Sequence, residues 1–322
     1  MSVFTTLKNK MLGKYSAFER KKFLFIYLLI AFPVVQMLVF WFYVNISGIM
    51  LAFQDGAGNW SLSSLQEAFA VLAGKPSFGF DVRQMLGKSV FMWVLGNLIL
   101  EPIGYLTCFI LTKHMIGSKF FRTCMMLPGL LGGVVFVAIM QEFYADDGVL
   151  VAFSQMLNID LPFTVIREGF LGHESTAFNT LMVQRFVMGL GGGGLILAGA
   201  YMRVPVEVFE AAKIDGCGLF REAFQIAIPC VWPMICTMQI FDLCGLFTSD
   251  YNMYLYSAGT GTRGMNSIGF YTYWIHVQVA TADRTDLYAY SSAFGMALTI
   301  ITLPVVFIGR WVLDKMADSV ES

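Results

Sequence analysis

Charge is scarce in this chain. Of its 322 residues 13% are Asp, Glu, Lys or Arg, while 57% are hydrophobic, with 30 Phe and 20 Met. A soluble domain carries about a quarter charged residues, so the composition excludes an ordinary soluble protein and requires a polytopic membrane protein. The formal net charge of −1 excludes the basic footprint of a nucleic-acid binder. Histidine is almost absent, with three in the chain. His173-Glu174 lacks the second His four residues on that a zinc-peptidase helix needs, and histidine-based catalysis is poorly supplied. A phosphate-binding loop is missing too: Gly87-Lys88-Ser89 supplies its end, but Val82 stands where the first glycine belongs. The chain therefore has no ATP site of that design. The six cysteines, Cys108, Cys124, Cys217, Cys230, Cys236 and Cys244, show no metal-ligand spacing and read as small buried side chains. Neither an enzyme nor a bound metal is expected.

What the chain has in quantity is long apolar runs. A membrane span needs about 20 mainly apolar residues, and by that rule six are expected: 23–46, 89–112, 122–143, 178–202, 226–247 and 287–312. The first follows a basic cluster of Lys8, Lys10, Lys14, Arg20, Lys21 and Lys22 but is too long for a signal peptide and lacks a small-residue cleavage site, so it is read as a retained span. Basic residues fall on one side fourteen to seven. The N-terminal cluster joins Lys113, Lys119, Arg122, Arg203, Lys213, Arg221, Arg310 and Lys315 there, against Lys75, Arg83, Lys88, Arg167, Arg185, Arg263 and Arg284 on the other. Short loops rich in Lys and Arg stay in the cytoplasm, so both termini are expected inside. The expected organisation is a basic cytoplasmic arm (1–22), a transmembrane domain (23–314) and a short cytoplasmic tail (315–322). The extracytoplasmic loops 47–88, 144–177 and 248–286 are too short for catalytic domains but large enough for a docking surface.

One polar interruption has a recognisable order, Glu210 to Pro229, EAAKIDGCGLFREAFQIAIP. Pro205 suits the first turn of a helix, where its missing N–H is not needed. A short helix is predicted from Val206 to Ile214, with Ala211 and Ala212 leaving room for a close neighbour. Gly216 supplies a turn that glycine makes cheaply, a second short helix starts near Leu219, and Pro229 opens the next apolar run. By itself this is an amphipathic connector at the membrane surface.

The order E-A-A-x-x-D-G, continued by Phe220, Phe224 and Ile226-Ala227-Ile228-Pro229 and preceded by Leu197-Ala198-Gly199 and Val204-Pro205-Val206-Glu207, resembles the EAA loop of ATP-binding-cassette (ABC) importer permeases. Cys217 replaces the usual Ala, and Ala227-Ile228 the usual Thr-Leu. Further likenesses are Phe120-Phe121-Arg122-Thr123 through Leu127-Pro128, Phe143 to Gly148, Phe241-Asp242 and Tyr290 to Gly295. They cover most of the chain after about residue 88 and point to the carbohydrate importers, in the maltose-F-like, type I form. The resemblance implies an all-α permease that pairs with a second, maltose-G-like permease, a dimer of ABC ATPases that bind the ATP and Mg, and an extracytoplasmic sugar-binding protein. It implies that Glu210 pairs with a basic residue of the ATPase, Ala211 and Ala212 permit close packing, Asp215 and Gly216 make the turn, and Phe209 and Phe220 are apolar anchors.

Polar residues inside the expected spans are costly, about 2.5–3.5 kcal/mol for a charge on insertion scales, and usually face a cavity or a partner. Asn97, Gln184, Arg185, Gln239 and Asp242 are the candidates for a sugar path, with Trp274 as an aromatic face. Gln239 and Asp242 share one helical face. Each taken singly is better explained by span–span hydrogen bonding, Arg185 by an ion pair with Glu142, whereas the group together favours a polar cavity. Glu101 precedes Pro102, which predicts a kink there, and its expected role is packing against the other permease. The glycines from Gly189 to Gly194 suit close packing or a flexible joint. Two other readings compete. An ion-gradient carrier would need inverted repeats and paired broken helices, neither of which is found, and an amino-acid or peptide ABC importer differs only in substrate.

Overall fold

The computed structural model describes residues 17–113, 117–159, 165, 168–189, 194–257, 264, 266–281 and 287–321. Among these the chain is helical, joined by short turns and two isolated β-bridges. Four helices are long and apolar enough to cross a membrane: α1 (Lys22–Ala52), α3 (Val82–Thr112), α10 (Leu219–Cys244) and the first 31 residues of α13 (Leu287–Glu321). They contain the first, second and sixth expected spans and all but the last three residues of the fifth. Between α1 and α3 lies the short α2 (Ser63–Leu72).

The third and fourth expected spans are not single rods. Residues 122–143 fall on α4 (Ser118–Leu130) and α5 (Gly133–Tyr144), and α4 up to Pro128 is bent by 101° against the helical stretch that begins at Gly133. Pro128 cannot donate a helical hydrogen bond, and Gly132 takes an extended conformation (φ −61°, ψ 143°). After α5 comes α6 (Val149–Met156). Residues 178–202 fall on α7 (Glu174–Gly189) and α8 (Gly194–Tyr201). Residues 190–193, most of the predicted glycine joint, lie outside the described residues, as do residues 1–16 of the basic arm.

The elbow consists of α9 (Val206–Ile214), the turn Asp215–Gly218 and the start of α10. A separate second elbow helix ending before Pro229 was expected. Instead α10 runs unbroken from Leu219 through Pro229 into the fifth span. The helix widens into a π turn at Ala223–Ala227, just before the proline that would otherwise strain it. A second π turn, Leu95–Leu100, sits just before Pro102 in α3, at the predicted kink.

Two cores hold the helices. The larger gathers α2, the first half of α3, α7, α11 (Met253–Tyr256), α12 (Ile268–Thr281) and α13 around Met85, Tyr271 and Phe294. Much of the segment expected as loops is thus helical and packed. The smaller core lies beside the elbow: Tyr105, Cys108 and Phe109 of α3, Leu197, Ala198 and Tyr201 of α8, and Ala223, Ala227, Val231 and Ile235 of α10. Ala223 and Ala227 are fully buried, and such small residues let membrane helices touch closely. Not all six cysteines are buried: Cys108 and Cys236 are, whereas Cys124, Cys230 and Cys244 are exposed on the chain.

Candidate functional site

The predicted residues come together in two places, the elbow and a polar cavity between α3, α7 and α10.

The turn after α9 is a Schellman motif. The Cys217 N–H donates to the Ala212 carbonyl (2.9 Å) and the Gly216 N–H to the Lys213 carbonyl (3.1 Å), satisfying carbonyls that the helix end would orphan. Gly216 sits at φ +72°, the left-handed conformation this motif needs. A Cβ there would touch nothing within 4 Å, so the glycine is required by backbone conformation alone. Glu207 in the first turn of α9 and Lys213 in the last both suit the helix dipole.

The elbow has two unlike faces. Glu210, Ala211, Ile214, Asp215 and Phe220 are exposed, Ile214 at 86% and Phe220 at 63%. Ala212 is buried. Phe209, expected as an outward anchor, turns inward: its ring packs 6.1 Å from that of Phe109, and the Lys113 ammonium lies 4.8 Å above it. It anchors the elbow to its own bundle, because the apolar wall of α3 and α8 is the surface it meets first. Two residues of this joint were not foreseen. Glu222, buried at 3% exposure, forms an ion pair with Lys113, which closes the end of α3. The partners are 109 residues apart, and no local spacing announces them.

The cavity is lined by Gly96, Glu101, Gln184, Arg185, Tyr251 and Asn252 in one lobe of 340 Å³. A second lobe of 380 Å³ shares Arg185, Tyr251 and Asn252 and adds Trp93, Asn97, Asp242, Ser249 and Asp250. Five of the six predicted path residues thus belong here: Asn97, Gln184, Arg185 and Asp242 line it, and Gln239 lies beside it. Gln239 donates both to the Glu101 carboxylate and to the Tyr105 hydroxyl (2.7 Å), and Tyr105 donates to Glu101 (2.5 Å). Glu101 is therefore part of the cavity wall.

Arg185 lies over the Tyr251 ring at 4.6 Å, within electrostatic reach of Glu101 and Asp242, and does not pair with Glu142 as the structural alternative supposed. Gly96 makes room for it, since a side chain there would collide with the guanidinium. Tyr256 donates to the Gln184 side-chain carbonyl (2.9 Å), and the Asn97 amide donates to the Trp93 carbonyl (3.1 Å). Of the four buried side-chain polar atoms without a hydrogen-bond partner among the described residues, two lie at the cavity, Asn97 Oδ1 and Arg185 Nε; the others are Arg122 Nε and Trp232 Nε1. Such atoms cost about 1–3 kcal/mol each when left dry, so the two at the cavity are places where a hydrated or hydroxylated guest gains hydrogen bonds. Burial pushes the carboxyl of Asp250, in the turn after α10, above the usual carboxylate range, against one backbone hydrogen bond from Tyr254.

Trp274 is not at the cavity. It packs 5.2 Å from Phe80 and 5.7 Å from Phe78, because α12 folds back against the 77–80 turn and brings the indole there. Among the described residues no group of three His, Cys, Asp or Glu side chains is placed to hold a metal ion.

Comparison with known proteins gives consistent likenesses. No family model matches the chain. It is 25% identical over 218 residues to a probable ABC transporter permease protein, YurN of Bacillus subtilis, covering 67% of this chain and 69% of that one. It is 22% identical over 301 residues, 91% of this chain and 89% of the relative, to the polygalacturonan/rhamnogalacturonan transport system permease YteP of the same organism. Among solved structures, a chain of a bacterial alginate ABC transporter in complex with alginate pentasaccharide-bound periplasmic protein superposes with a TM-score of 0.74. That match has 17% identity and covers 93% of this chain and 97% of the other.

Proposed function

We propose that this chain, an ABC transporter permease of the carbohydrate importer family, is one of two different permeases that together enclose a path for an oligosaccharide across the bacterial cytoplasmic membrane. It does no chemistry of its own. ATP and Mg belong to a pair of ATPases on the inner side, and an extracytoplasmic binding protein delivers the sugar.

The observation that carries this reading is the continuity of the elbow with the cavity. The exposed face of Glu210, Ala211, Ile214, Asp215 and Phe220 offers small, apolar and acidic groups on a rigid turn, suited to a cleft with a basic residue in its wall. Behind it, α10 is one helix from Leu219 to Cys244, and its far end carries Gln239 and Asp242. When the ATPases close on ATP they displace the elbow, and the helix carries that displacement to the cavity as a rigid-body motion. Sugar hydroxyls both donate and accept, and the lining offers them Asn97 Oδ1, Arg185, Asp242 and the Tyr251 ring face.

Affinity purification through this chain, followed by ATPase assays with binding proteins loaded from an oligosaccharide panel, tests the reading. Recovery of a second permease and two ATPase copies, with hydrolysis stimulated by a loaded binding protein, is expected. Isolation as a lone carrier driven by an ion gradient overturns it, and stimulation by amino acids or peptides alone moves it to the other importer class.

A further inference from the structure

We infer that the Lys113–Glu222 ion pair locks the second span to the elbow, so that α3 and the start of α10 move as one body during transport; this rests on the coupling role proposed for the elbow.

The pair sits where the two helices meet. Along α3, every fourth residue from Trp93 through Asn97, Glu101, Tyr105 and Phe109 to Lys113 falls on one ridge. Along α10 a matching ridge runs through Ala223, Ala227, Val231, Ile235 and Gln239, and Asp242 follows three residues on. The ridges are tied at three levels. Trp93 donates its indole N–H to the Asp242 carbonyl (2.9 Å) at the cavity. Gln239 bonds Glu101 and Tyr105 in the middle. Lys113 pairs with Glu222 at the elbow. Between the last two levels lie the buried alanines and Phe109.

The lowest tie is built unlike an exposed salt bridge. The Glu222 side chain is 4% exposed and that of Lys113 24%. The ammonium is held 4.9 Å from the Phe109 ring and 4.8 Å from the Phe209 ring, so α3 and α9 each press an aromatic face on it. The end of α3 is fixed independently by Arg122, which donates to the Leu111 carbonyl (2.8 Å). A buried pair of this kind is weak evidence for net stability but strongly constrains position, because either charge left alone is costly. α9 reaches α10 through the Schellman turn, and among the described residues the elbow is tied to the span bearing Asn97 and Glu101 by the Lys113–Glu222 pair, the contacts of Phe209 with Phe109 and Lys113, and the alanine seam. By helix rise, Glu101 lies about 18 Å from Lys113, and α3 thus delivers elbow motion to the part of the cavity wall that adjoins α10.

The test uses the complete complex, with its ATPases, second permease and binding protein, in proteoliposomes, reading sugar taken up per ATP hydrolysed. Glu222→Gln is expected to lower that ratio at least tenfold while hydrolysis continues, and the exchange Lys113→Glu with Glu222→Lys to restore at least half of it. A Lys113→Cys/Glu222→Cys protein, free of other exposed cysteines, is expected to transport poorly until a short dithiol-reactive cross-linker bridges the pair, and then to recover. Normal uptake per ATP by Glu222→Gln overturns the inference, as does a block of uptake on bridging, which would mean that the two helices must part. If Glu222→Gln fails to assemble, the bridged protein decides alone. Normal uptake by Gly216→Asp would instead sink the elbow's coupling role, an outcome separable from failure of the lock alone.

Discussion

The elbow and the cavity are built on the same two helices, α3 and α10, yet they treat their carboxylates in opposite ways. Beside the elbow the buried carboxylate of Glu222 has its ammonium, and alanines close the seam between the helices. At the cavity, Asn97 Oδ1 and Arg185 Nε are buried without partners, and Glu101, Asp242 and Asp250 share the neighbourhood with a single guanidinium. The first arrangement fixes distances. The second leaves hydrogen-bonding capacity for a guest and tolerates the cost. Ties run from one region to the other along a common pair of ridges, which is what a lever between an engine and a substrate requires.

Substitutions at each end sharpen this contrast. The largest effect is expected from Gly216→Asp. Its Cβ meets no neighbour, so the left-handed backbone costs about 1–2 kcal/mol locally while a new charge enters the exposed docking face. Uptake should be abolished with the chain still in the membrane, as measured by substrate accumulation against chain abundance. Ala227→Leu comes next. It forces a branched side chain into a fully buried seam at about 1–3 kcal/mol and should lower the thermal midpoint and yield of the complex without changing the sugars it accepts.

Asp242→Asn, at the other end, should leave assembly intact and reduce uptake about 10- to 100-fold, in line with about 1.5–3 kcal/mol for a hydrogen bond to a charged group, an effect visible in the initial rate at saturating loaded binding protein. The smallest effect is expected from Trp274→Ala. Its ring contacts lie with Phe78 and Phe80, so initial uptake should change less than twofold. A tenfold loss there would place an aromatic sugar face where the cavity geometry has none.

Much of this was legible from residues alone. Apolar runs located the four long spans, because bilayer thickness sets their length. The small residues and glycine of 210–218 announced a helix end that only a left-handed residue closes, and the polar groups of 97, 184–185 and 239–242 marked the cavity because isolated charges at membrane depth are rare. The rest depends on contacts across the sequence. Phe209 and Phe220 look alike in the chain, but only the first finds an apolar wall, at Phe109. Glu222 resembles any polar residue of a surface connector until Lys113 is placed beside it. Trp274 is as aromatic as a sugar platform, and only the return of α12 onto the 77–80 turn removes it from the path. The ridge from Trp93 to Lys113 was present as a strict spacing of four, yet its mixed polar and apolar members gave no hydrophobic stripe to follow.

The central claim is that the outer face of the elbow is covered by the ATPase. Ile214, 86% exposed on the isolated chain, reports on it directly. With Ile214→Cys in a background lacking other exposed cysteines, maleimide labelling should be rapid when the two permeases are present without the ATPases and at least tenfold slower in the full complex. Equal labelling with and without the ATPases would contradict the account.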